Sequence, residues 1–348
     1  MAYTTINKSS EHFNTKLYTG NGGTQTISGI GFKPDFTWVK GRNHAYYHYL
    51  QDAVRGSTNV LYTNNNDAQA TGVTAGISAW NSDGYITGSQ GALNYNGRTF
   101  VAWNWKANGA GSSNTDGDIT STVSANTTSG FSIVKWTGNG SNDQRIGHGL
   151  GVRPVCWIVK RTDTSANWYM MHQGLASNWY DDYFLNLNAN GARLGDNNVG
   201  TGNPTSTTFY VGDDAMSNAS GGTYIAYVFA EKQGYSKFSS YLGNGNANGT
   251  FVYTGFKPAF VMIKNATTAN TSWTMCDNKR AGYNASNYRL APNLTDVEST
   301  SNAWEMYSNG FKMTSTGSRV NTSSDNYIYL AFAEAPLVGT NNIPCTAR

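Results

Sequence analysis

The chain has 348 residues and a formal net charge of +3; 13% of residues are charged, 13% are aromatic and 39 are glycine. A nucleic-acid surface needs clustered Lys and Arg, and the few basic residues here are scattered, which excludes that class. Abundant aromatics with little net charge exclude a disordered chain, and the scarcity of helix formers leaves strands and tight turns.

Residues 1–10 have neither a charged leader nor an apolar run. That predicts a product made without a signal peptide and without membrane insertion, its first ten residues serving as an anchor segment. A first module is predicted over 11–107. It opens on Tyr18-Thr19-Gly20-Asn21-Gly22, continues with Gly31-Phe32-Lys33-Pro34 and an apolar strand to Lys40, and closes on Phe100-Val101-Ala102-Trp103. Residues 108–128, rich in Gly, Ser, Asn and Thr, read as a flexible linker.

A second module, 129–233, repeats the order. It has Trp136-Thr137-Gly138-Asn139-Gly140, then Gly151-Val152-Arg153-Pro154 to Lys160, then Tyr224-Ile225-Ala226-Tyr227. A third, 234–336, has Tyr241-Leu242-Gly243-Asn244-Gly245, Gly255-Phe256-Lys257-Pro258 to Lys264, and Tyr327-Ile328-Tyr329-Leu330. Residues 337–348 form a tail. Weaker stations also align: Asp52, His172 and Asp277; Leu61 with Asn64, Leu185 with Asn188, Leu290 with Asn293; and the turn Ser82-Asp83-Gly84-Tyr85 with Ser308-Asn309-Gly310-Phe311, which the second copy lacks. So many stations in one order, three times, mark an internal repeat.

Within each module short strands alternate with turn residues. Gly-Asn-Gly supplies positive φ for a tight turn, and Pro suits the first residue of a strand. Val155 to Val159 is a continuous apolar run, as in a strand covered on both faces. The expected fold is all-β: three repeated antiparallel β-sandwich modules of jelly-roll or lectin-like type. Trp103, Phe229 and Phe332 are expected in the core. Lys40, Lys160 and Lys264 are expected at the surface or paired with a carboxylate.

No nucleophile elbow, phosphate loop, zinc-helix motif or dinucleotide fingerprint occurs. Cys156, Cys276 and Cys345 have neither disulfide-framework nor zinc spacing. His44 and His48 are a weak metal signal, and Asp116-Gly117-Asp118 reads as a solvated turn. The doublets Asp181-Asp182 and Asp213-Asp214 point to opposite faces if they lie on strands, which a glycosidase pair does not do. The reading is therefore of a non-enzyme with no cofactor and no metal. What remains is a binding surface of loop aromatics. Tyr46, Tyr47, Trp179, Tyr180, Tyr283 and Tyr288 are the ligand-binding candidates, because rigid aromatic platforms suit the apolar face of a sugar.

The runs Gly31-Phe32-Lys33-Pro34-Asp35-Phe36-Thr37-Trp38-Val39-Lys40-Gly41-Arg42, Asp52-Ala53-Val54-Arg55-Gly56, Asn81-Ser82-Asp83-Gly84-Tyr85 and Val101-Ala102-Trp103-Asn104-Trp105-Lys106, with the opening Ala2-Tyr3-Thr4-Thr5, are where a family resemblance lies. They resemble virion structural proteins of tailed bacteriophages of marine bacteria. The resemblance covers nearly the whole chain and is weakest in the second module. It implies a virion location and no catalytic residues; other virion proteins and a host-surface glycan or protein are the expected partners. The role expected from it is a tail fibre or receptor-binding adhesin, assembled as a homotrimer. The alternatives are a capsid decoration or head-fibre protein and a tail-spike glycan hydrolase.

Overall fold

The computed structural model describes residues 3–336 and 338, apart from 177–182, 196–197, 201, 282–283, 285–287 and 302. Each repeat builds one large antiparallel sheet. In the first it orders Phe13–Thr19, Thr99–Trp105, Phe36–Gly41, Tyr49–Asp52 and Leu61–Tyr62. The second repeats this with Phe131–Thr137, Thr223–Phe229, Cys156–Arg161, Tyr169–His172 and Tyr183–Asn186. The third uses Ser236–Leu242, Asn326–Pro336, Phe256–Asn265 and Thr274–Asp277.

A smaller sheet covers the outer face of each. It is Gln25–Ser28, Gly84–Thr87 and Ile77–Asn81 in the first module, and Phe251–Tyr253, Gly310–Met313 and Trp304–Tyr307 in the third. In the second, where the Ser-Asp-Gly turn is missing, only Gln144–Gly147 pairs with Thr208–Val211. The antiparallel sandwich expected from the sequence is thus present three times.

The inner face of every large sheet is buried as well. Along the strand after each Pro, Phe36 and Trp38, Cys156 and Ile158, and Phe260 and Met262 enter one core shared by all three modules. Their alternate neighbours turn outward into three separate sandwich cores: Val39 in the first, Trp157 and Val159 in the second, Val261 and Ile263 in the third. Period-two alternation therefore feeds two cores from one strand, which is why these strands read as unbroken apolar runs. Trp105, Phe229 and Phe332 meet at the centre, with Phe332 packed edge-on to both others at 5.6 and 5.9 Å. An apolar cavity of about 20 Å³ remains between the three sheets. Lined only by apolar and aromatic side chains, it offers a water no partner.

Two expectations, those for the linker and for the three lysines, are corrected. Residues 108–128 do not form a loose linker: Ser121–Asn126 pairs along Phe131–Thr137, and Ser112–Asn114 pairs on it in turn. Val123, buried in the second sandwich core, holds this extension down. The anchor segment is packed onto the protein itself, because Ile6 joins the central core and the Tyr3 hydroxyl donates to the Gly255 carbonyl at 2.9 Å. Lys40, Lys160 and Lys264 are buried and are held by carbonyl oxygens. Even parity with the Pro puts them on the central face, and Lys40 and Lys160 reach across to a neighbouring module.

Candidate functional site

The repeated polar residues meet at the seams between modules, and they do so in a single rotational sense. The Trp103 indole of the first module donates to Asp277 of the third at 3.0 Å. The Tyr227 hydroxyl of the second donates to Asp52 of the first at 2.8 Å. His172 of the second accepts the Gly174 N–H on Nδ1, so Nε2 carries the proton and donates to the Tyr329 carbonyl of the third at 3.1 Å. The equivalent position in the third closing strand is Leu330, which has no polar atom, so a donor imidazole replaces the acceptor carboxylate and uses backbone instead.

The lysines follow the same rotation. Lys40 Nζ donates to its neighbour Gly41 and to Thr295 of the third module at 3.2 Å. Lys160 donates to Arg161 and to Asn66 of the first at 3.3 Å. Lys264 donates to Asn265 and to the Thr271 hydroxyl, and the Thr271 N–H reaches Asn190 of the second. Backbone bonds at equivalent positions add a further set: Gln69 to Thr162, Arg193 to Ala266 and Glu298 to Arg42, at 2.8–2.9 Å. Burial lowers Lys40 and Lys160 to about 8 and Lys264 to about 7. It also holds His48 well below the ordinary imidazole value and His172 at about 4.

These groups have the look of chemistry, but they are tied up by bonds within their own module and across to the neighbouring one. Asp52 takes the Val54 and Arg55 N–H groups on one oxygen, and Arg55 Nε at 2.6 Å with Tyr227 on the other. Asp277 does the same with Lys279, Arg280 and Trp103. Both pairs are fully buried, which leaves no face for a substrate. His48 accepts the Trp38 indole at 2.9 Å. Asp118 is bound through both oxygens by Arg145, and Asp214 caps the turn at Met216. Among the described residues no group of three His, Cys, Asp or Glu is placed to hold a metal ion.

The loop aromatics behave differently. Tyr46 and Tyr47 are 38% and 43% exposed and pack edge to face at 6.0 Å. Tyr47 continues to Tyr62 at 5.1 Å, and His44 links Tyr46 to exposed Tyr95. Together they form an aromatic ledge at the seam of the first and third modules. Beside it Ala45, Tyr46, Tyr47 and Thr295 enclose an open recess of about 310 Å³. The Tyr46 N–H donates to the Thr295 carbonyl at 3.0 Å and so fixes the ledge to the third module.

Tyr288 is half-buried, with the Arg42 guanidinium 5.9 Å over its ring and Arg42 itself forked onto Glu298. Trp179, Tyr180 and Tyr283, the doublet Asp181-Asp182 and Cys345 lie outside the described residues. The contributions of Tyr62 and Tyr95 were missed by sequence reasoning, since neither stands in a loop that varies visibly between repeats.

A family model described as a domain of unknown function (DUF7483) matches residues 8–336, which takes in all three modules and the segment between the first two. No curated protein and no solved structure matches the chain.

Proposed function

The chain belongs to the DUF7483 family, and we propose that it is a non-catalytic virion structural protein, a tail-fibre type adhesin that presents its module loops to a host-surface glycan. One observation carries this reading. The repeated polar residues join the modules, whereas Tyr46 and Tyr47 stand packed together at a seam with their rings partly in solvent. An aromatic ledge with a threonine beside it suits the apolar face and polar rim of a sugar ring. The resemblance to marine phage virion proteins supports the location in the particle.

The homotrimer expected from the sequence has a rival here, because one chain already closes a threefold arrangement around a single core. We therefore expect a 37.7 kDa monomer by light scattering; a mass of three chains would restore the homotrimer. The capsid-decoration reading differs in location, and electron microscopy of intact particles separates the two.

The test of the ledge is binding of purified protein to host-surface polysaccharide. Replacing Tyr46 and Tyr47 together by Ala should weaken binding at least about tenfold, since two stacking faces are lost, with the melting temperature nearly unchanged. Equal binding by this variant, or shortening of the polysaccharide by the wild type, would remove the reading; shortening would favour the glycan hydrolase.

A further inference from the structure

A second recess lies on the third module, its lining residue Asp296 following directly on Thr295 of the ledge recess. It has a volume of about 400 Å³ and is lined by Arg289, Asp296, Ser299, Ser315, Ser318 and Arg319, among others. Two features set it apart from the other surface hollows. The Arg289 Nε is buried without a hydrogen-bond acceptor among the described residues. A buried guanidinium N–H left unmatched is costly, and such groups are normally found paired. Burial pushes Arg289 below its ordinary value, and the like charge of Arg319, in the same lining, adds to this. Among the described residues neither guanidinium forms an ion pair.

The recess is also held in shape. The Arg289 and Ser299 backbones bond each other in both directions at 2.8 and 2.9 Å. The loop bearing Arg319 is tied down by Asn265 and Tyr327, both donating to the Ser318 carbonyl at 3.0 and 2.9 Å. The Ser315 hydroxyl accepts the Gly317 N–H, which leaves its own proton to donate. Two cationic forks that repel one another, with serine hydroxyls around them, are complementary to an oxyanion and to little else. Asp296 is the one opposing charge in the lining, forms no ion pair with Arg289 or Arg319 among the described residues, and also acts on Lys40.

We propose that the recess between Arg289 and Arg319 binds one oxyanion, supplied by a sulfate ester or carboxylate of an acidic polysaccharide. The polysaccharide as source rests on the adhesin reading above; the oxyanion site does not. The serine hydroxyls, able to donate and accept, would take the sugar hydroxyls that flank such a group. Binding is expected to weaken as ionic strength rises, because the recess is open to solvent.

The experiment is calorimetric titration of the full chain at low salt with inorganic sulfate, then with sulfated, uronate-bearing and neutral oligosaccharides. Sulfate should bind, Arg319→Ala should weaken it about tenfold or more, and Asp296→Asn should strengthen it severalfold. Arg319 is on the surface loop, so its replacement leaves the fold intact, and an unchanged melting temperature checks this. Arg289→Lys should also weaken binding, because an ammonium cannot reproduce the fork. No sulfate binding at millimolar concentration, or equal binding by Arg319→Ala, overturns the site. Sulfate binding without any acidic oligosaccharide binding overturns the polysaccharide as its source and leaves the Tyr46–Tyr47 ledge to be judged by its own variant.

Discussion

Asp52 is the residue on which two scales meet, since it caps the turn that follows its strand and receives Tyr227 from the next module. Removing a buried partner leaves Arg55 uncompensated, so Asp52→Ala should cost about 3–5 kcal/mol. The second module shows another solution at the same positions, His172 and Leu175, both buried. The double variant Asp52→Ala with Arg55→Leu should therefore be less destabilised than Asp52→Ala alone. Denaturant titration of the cycle checks this, and additive losses would refute the coupling.

Titration acts at the same scale. Burial lowers His148 and His172 to about 4 from the ordinary 6.5. Below 6.5 the unfolded chain takes up protons that the folded chain refuses, so stability should fall between pH 6.5 and 4, by on the order of 3 kcal/mol for each histidine. The three lysines extend the same trend upward. Their folded values near 7–8 lie below the ordinary 10.5, so stability should rise from neutral pH towards 10. Buried tyrosines such as Tyr235 and Tyr329, raised by desolvation, reverse it above pH 10. A melting temperature that stays flat from pH 4 to 9 would contradict both assignments.

Among the elements, the Gly-Asn-Gly turn shows most clearly why a motif repeats. A buried Asn (Asn94, Asn218 or Asn321) accepts the N–H of the turn Asn and donates back to its side-chain oxygen at 2.9–3.1 Å. The two glycines serve different ends. The second has φ of 73, 75 and 65° in the three copies, where a side chain is strained. The first has no room, for a Cβ on Gly20, Gly138 or Gly243 would lie 2.1–2.4 Å from a backbone carbonyl. Gly243→Ala should cost about 1–3 kcal/mol by overpacking, read as a lower denaturation midpoint. The second Gly, at Gly245, should tolerate Asn better than Val, because Asn adopts positive φ at lower cost.

At the scale of the whole molecule the three sandwiches share one core. Phe13, Trp105, Phe260 and Phe332 pack ring to ring across the first and third modules at 4.8–6.3 Å, and Phe36 stacks on Tyr227 of the second at 4.2 Å. Calorimetry should show one unfolding transition, and Trp105→Ala should lower it as a whole, at about 3–5 kcal/mol. Two separated transitions would mean that the modules fold alone. An excised third module, 234–336, would expose Phe260, Met262, Leu330 and Phe332 together, and should aggregate or bind a hydrophobic dye.

The sequence by itself determined the repeat, the strands and the turns, because these depend on local chemistry: alternation along Phe131–Thr137, positive φ at glycine, and the missing N–H of proline. It also carried a hint of the double burial, in the unbroken apolar run from Val155 to Val159. Only the tertiary structure decided where the inner faces go. Whether Lys40 ends in water or on the Thr295 carbonyl depends on a residue 255 positions away, and no local pattern encodes that distance. The segment 108–128 misled for the same reason, since a Ser- and Thr-rich strand differs from a loop only in having an edge to pair with. Burial of a polar group becomes favourable when a neighbour supplies its partner, and here that neighbour is the next copy of the same module.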